Sequence, residues 1–151
     1  MRTLFVAFIM LGAVASSADD LGALEAAARR YVASMKAVLA LPEAPDCSET
    51  IAKAGEYAAA KLNYYDAARK AMPALLQMAK GEKTGSHFGE DLMKIFRGFG
   101  EDADQEATVT LESKLNRCPE TAKRSEAHKA VEQARQAAEQ FIKDLGRLEG
   151  A

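Results

Sequence analysis

Residues 20–41, DLGALEAAARRYVASMKAVLAL, decide the fold class of this chain. Leu21, Leu24, Ala28, Tyr31, Met35 and Val38 recur at alternating intervals of three and four, so all six fall on one stripe of an α-helix. Asp19 and Asp20 suit the positive amino-terminal end of such a helix, and Pro42 stops it.

Moving outward, the same period returns three times. A second segment follows the Pro42–Pro45 loop, with Asp46 and Glu49 in the positions of a capping box. Its expected buried stripe is Ile51, Ala54, Ala58, Leu62, Tyr65, Ala68, Met72, Leu75 and Ala79, closing at Lys80-Gly81. Pro73 falls inside it, removes a backbone donor and predicts a kink or break. A third segment is expected from Ser86, with Phe88, Leu92, Ile95, Phe96, Phe99 and Ala103 on one face, continuing through Ala107, Leu111 and Leu115. Gly98 and Gly100 weaken it and place a potential break at Phe99–Glu101. A fourth opens at Pro119, with Ala127, Val131, Ala134, Ala138, Phe141, Leu145 and Leu148 on its stripe. Alternating β-branched runs are nearly absent. The expected fold is therefore all-α, an antiparallel up-down-up-down four-helix bundle.

The first eighteen residues, MRTLFVAFIMLGAVASSA, are of another kind. Arg2, an apolar run from Leu4 to Val14 and small residues ending in Ser16-Ser17-Ala18 follow the layout of a secretory signal peptide. The apolar run is far short of the ~20 residues that span a bilayer. Cleavage is expected before Asp19, leaving residues 19–151 as one domain with no stable membrane anchor. The short, Ala-rich leader favours a bacterial periplasm over the extracellular medium.

Twenty Lys and Arg against 22 Asp and Glu, a net charge of −2, leave no basic footprint for nucleic acid and no polybasic patch for anionic lipid. Cys47 stands at the start of segment two and Cys118 between segments three and four. In an alternating bundle those two points share one end, and export permits oxidation, so a Cys47–Cys118 disulfide is expected.

Chemistry-bearing constellations are scarce. No C-x-x-C-H is present for covalent haem. A b-type haem electron carrier is the alternative reading, with Met35 and His128 as axial ligands. His87 belongs to the opposite end from His128, and His128 stands beside the Ala127/Val131 stripe rather than on it. No Glu-x-x-His pair supports a di-metal site. Residues 101–106, EDADQE, resemble a calcium loop only superficially, because Ala107 and Ser113 replace the required glycine and glutamate. Hydrolase and phosphate-loop motifs are missing. The expectation is a non-enzymatic exported protein with no cofactor and no metal. It would bind a protein partner or a small apolar ligand through a helix face. Tyr57 and Tyr64, seven apart and beside the expected core stripe, are the candidate partner-binding residues.

Overall fold

The computed structural model describes the backbone over residues 2–81 and 100–149, and side chains over 19–77 and 100–147. Of the residues singled out by the sequence, Ala79, His87, Phe88, Leu92, Ile95, Phe96, Phe99 and Leu148 lie outside the described side chains. Four helices and no strands are found among the described residues: α1 (Arg2–Leu39), α2 (Cys47–Gly81), α3 (Glu101–Asn116) and α4 (Ala122–Glu149). Among the described residues, no helix is long and apolar enough to cross a membrane.

Helix α1 runs unbroken through the expected cleavage junction at Ala18–Asp19 and ends just before Pro42. Its last turn tightens, with Leu41 N–H donating to the Val38 carbonyl at 3.1 Å. Tyr31, Met35 and Val38 are fully buried, as the alternating spacing requires. Asp46 caps α2: its carboxylate accepts from the Ser48 N–H at 3.3 Å and the Ser48 hydroxyl at 2.6 Å. These bonds favour the ionised carboxyl and lower its pKa. Helix α2 continues through Pro73 without a break.

Gly100 precedes α3 with φ 68°, and a Cβ built there would lie 3.1 Å from Met35 Cε. Only glycine meets both conditions without strain. Helix α3 therefore begins directly after Gly100, and the part of the expected third segment that precedes Gly100 lies outside the described residues. Helix α4 starts three residues later than Pro119 proposes: Thr121 is its cap, accepting the Arg124 N–H on Oγ1 at 3.2 Å.

Helix directions alternate. Tyr31 of α1 meets Tyr57 and Tyr64 of α2, and Cys47 at the start of α2 is bonded to Cys118 just after α3. Their Sγ atoms are 2.17 Å apart. Among the described residues, however, the neighbours differ from those of a square bundle. Helix α2 shares its broadest interfaces with both α1 and α4, while α3 packs over α1 and α2. The pairs Tyr65–Phe141 and Arg69–Asp144 advance in the same sense, so α2 and α4 run side by side and parallel. Completely buried alanines, Ala68 on α2 and Ala134 on α4 among them, permit that close approach. One buried cluster draws residues from all four helices.

The central place of α2 corrects the sequence reading of its core face. Leu62, expected on the stripe, is 38% exposed. Tyr57 and Tyr64, expected on an outer row, are 0% and 4% exposed. The face turned inward is Ala54, Tyr57, Lys61, Tyr64, Ala68 and Ala71, which also follows intervals of three and four. A helix contacted by three others buries a wider arc than a two-sided stripe, and the lysine in the middle of this one disguises it.

Candidate functional site

Lys61 is the one charged residue that the described structure takes fully inside, at 4% exposure. A lone buried ammonium is strongly unfavourable, so its partners must come from the helices around it. The main one is Asp104, in the first turn of α3. Lys61 Nζ donates to Asp104 Oδ2 at 2.8 Å. The other carboxylate oxygen, Oδ1, accepts hydrogen bonds from the phenols of Tyr31 on α1 and Tyr57 on α2. One carboxylate thus gathers donors from two helices and ties a third to them.

Tyr57 Oη is the second node. Its single proton goes to Asp104, so its oxygen accepts from Lys61 Nζ at 3.3 Å and from the Thr108 hydroxyl at 3.0 Å. The spacing explains the assembly. Tyr57 and Lys61 are four apart on α2, and Asp104 and Thr108 are four apart on α3, so each pair presents two polar groups to one seam. Among the described residues no buried side-chain nitrogen or oxygen lacks a partner.

An aromatic wall backs the cluster. Tyr31 stacks on Tyr64 with ring centroids 5.3 Å apart, and Tyr64 meets Tyr65 edge to face at 5.0 Å. Tyr65 reaches Phe141 of α4 at 5.3 Å, under the Arg69 guanidinium, which lies 5.9 Å from the Phe141 ring. Burial holds all four phenols in their neutral form. The pKa values of Tyr31, Tyr57 and Tyr64 are pushed far above the usual phenol value, chiefly by desolvation. Tyr65 is pushed up to about 12 by desolvation first and by the Asp104 and Glu101 charges second. The arrangement binds and orients a carboxylate; it presents no free base and no activated nucleophile.

The expected residues are placed as follows. Cys47 and Cys118 are joined, at the end of the molecule where Lys114 Nζ also donates to the Pro42 and Glu43 carbonyls at 2.6 and 3.2 Å. Tyr57 and Tyr64 are interior residues, so the idea of an exposed tyrosine row for a partner is withdrawn. Met35 is buried on α1 against Gly100, whereas His128 lines a surface groove at the start of α4 with Glu120, Thr121 and Arg124. The two proposed haem ligands are thus set among different neighbours. No group of three or more His, Cys, Asp or Glu residues able to hold a metal occurs among the described residues.

Sequence reasoning missed Lys61, Asp104 and Tyr31 as a unit. By sequence alone the acidic run 101–106 looks like a solvated helix face, and Lys61 belongs to no motif. A signal existed: Tyr57, Lys61 and Tyr64 recur at intervals of four and three, so two core tyrosines bracket a lysine on one helical face.

A different surface feature is continuous and outward-facing. Along the outer seam of α1 and α2 runs a groove floored by alanines. One stretch is lined by Ala33, Ala37, Ala59 and Ala60, and the next by Ala23, Ala26 and Ala67. Arg30 and Asn63 line both stretches, and Asp20, Glu56, Asp66 and Lys70 rim them. Compared with protein-family profiles, with curated proteins and with solved structures, the chain finds no match.

Proposed function

We propose that this chain is an exported, non-enzymatic helical bundle that loses residues 1–18 and docks a helical segment of a protein partner in the groove between α1 and α2. The bacterial periplasm is the compartment that suits its leader best. The observation that carries the reading is the contrast between interior and surface. The interior groups with chemical potential, Lys61, Asp104, Tyr31 and Tyr57, are consumed by one another. The outward seam offers small side chains with charges of both signs at the rim.

The physical logic is that of helix packing. Alanine lets a third helix approach to the 8–10 Å typical of packed helices. The rim, with Arg30 and Lys70 against Asp20, Glu56 and Asp66, supplies orientation more than affinity. The Cys47–Cys118 bond and Lys114 on the Pro42 and Glu43 carbonyls fasten the α1–α2 connection to the end of α3.

The test is to place arginine in the groove. Ala33 and Ala59 are exposed, so Ala33→Arg and Ala59→Arg should leave the melting temperature nearly unchanged. Both should abolish capture of the partner recovered with the wild-type protein from the native envelope. Capture that survives both substitutions removes the groove from consideration.

A further inference from the structure

We propose that Tyr31, Tyr57 and Lys61 form a carboxylate-binding cradle, that Asp104 is its resident internal occupant, and that a small monocarboxylate with an apolar body takes the same place when the amino-terminal half of α3 lifts away. This site is distinct from the outer α1–α2 groove and does not rest on it.

The donors and the acceptor belong to different parts of the fold. Two phenols and one ammonium converge from α1 and α2, the helices that share one of the two broadest interfaces. Helix α3 contributes the anion. One cation plus two neutral donors aimed at the two oxygens is the chemistry by which a protein recognises a carboxylate of any origin.

The resident carboxylate is lightly held by the rest of its helix. In the first six residues of α3, Glu101, Asp102, Gln105 and Glu106 are exposed, and Ala103 and Asp104 are half-buried. Complete burial begins at Ala107. The opposite end is fastened by the Cys47–Cys118 bond and by Lys114 on the Pro42 and Glu43 carbonyls. Among the described residues few apolar contacts hold the Gly100 end, so opening starts there while the far end stays tethered.

Exposure gives the direction of entry. The Asp104 side chain is 23% exposed and that of Lys61 5%, so the mouth of the cradle lies on the Asp104 side and the ammonium at its base. Departure of Asp104 alone would strand a buried ammonium, which is why opening is rare without a replacement anion. An incoming carboxylate restores the pair, so lifting of α3 and binding are one coupled event. Lifting of α3 would uncover the buried Tyr31 and Tyr57 rings beside Asp104, which favours an apolar body on that carboxylate.

The test uses the full exported protein and submicellar dodecanoate, with dodecanol as the uncharged control. Asp104→Asn keeps the shape of the occupant and removes its charge. It should bind dodecanoate at least about tenfold more tightly than wild type, because the competing state is depopulated. Lys61→Met added to Asp104→Asn should lose that binding, and dodecanol should bind none of the three. In wild type, dodecanoate should speed amide exchange at Glu101–Glu106 and leave Leu111–Asn116 unchanged. The proposal is overturned if Asp104→Asn gains nothing, if dodecanol binds equally, or if the double variant keeps its affinity. Should Asp104→Asn not fold, wild-type exchange decides alone: no change at Glu101–Glu106 overturns the proposal.

Discussion

The Lys61 ammonium of α2 sits 2.8 Å from the Asp104 carboxylate of α3, across 43 residues of chain. The Tyr31 and Tyr57 phenols close on the same carboxylate. This contact, more than any apolar pair, ties the amino-terminal half of α3 to α1 and α2. It also separates residues that organise the interior from residues free to meet a partner.

Removing one member should cost more than removing the charge from both. Asp104→Asn leaves the Lys61 ammonium buried without its counter-charge, and is expected to destabilise by about 3–5 kcal/mol; Lys61→Met alone completes the pair of single variants. Lys61→Met combined with Asp104→Asn keeps an acceptor for both phenols and buries no charge. Its loss should be smaller than the sum of the two single losses, by about 0.5–3 kcal/mol. Urea denaturation of the four proteins of the cycle measures this directly. Strict additivity would show that the contact is not energetically coupled.

Tyr57→Ala should destabilise by about 3–5 kcal/mol, the range for emptying a buried aromatic site. A tyrosine serving only as a surface contact would leave the denaturation midpoint where it is. The burial of Tyr57 at 0% exposure sets the first outcome as the expected one.

The tyrosines also set an alkaline limit. Their folded-state pKa values lie above the ordinary phenol value of 10.0, that of Tyr65 at about 12. The folded state therefore holds protons that the unfolded chain has already released. Their contribution is complete below pH 10 and is lost as pH rises from there toward 12 and beyond. In an alkaline titration, phenolate absorbance and loss of helical circular dichroism should rise together. Ionisation of all four tyrosines near pH 10 with the helices intact would contradict the burial.

Pro73 sits exposed within an unbroken α2. Its ring denies the helix one hydrogen bond and crowds the preceding turn, so Pro73→Ala is expected to stabilise, by up to about 3 kcal/mol. A fall in the urea midpoint would mean that the proline-bearing geometry is needed for packing.

Much of the fold could be read before the structure. The stripes from Leu21 to Val38 and from Ala127 to Leu145 needed no correction in type, because α1 and α4 each turn one apolar face inward. Helix α2 was misread because it is flanked by three helices. Its polar Lys61 occupies a core position that hydropathy assigns to the surface, while apolar Leu62 beside it is 38% exposed. The disulfide was legible because helix order alone brings Cys47 and Cys118 to one end. The Asp104 clasp was not, since an acidic run on a helix looks solvated until the helix opposite is known to carry a buried cation. Pro119 marked the start of α4 only roughly: the capping oxygen belongs to Thr121.

Opening the staple should expose how much α3 depends on it. Cys47→Ser with Cys118→Ser removes a cross-link between residues 71 apart, worth about 4 kcal/mol by chain entropy. The urea midpoint should fall by a corresponding amount, and equally in wild type after reduction. No shift on reduction would indicate that the loop is already confined in the unfolded chain.

The proposed function rests on docking at the outer α1–α2 seam. Photo-crosslinking in the native envelope tests this most directly. A photoreactive residue is placed at Ala33, at Ala59 and, as a control, at exposed Lys143 of α4. Docking in the groove is expected to give the same crosslinked partner at positions 33 and 59 and none at 143. Crosslinks at 143 alone, or at none of the three, would contradict it.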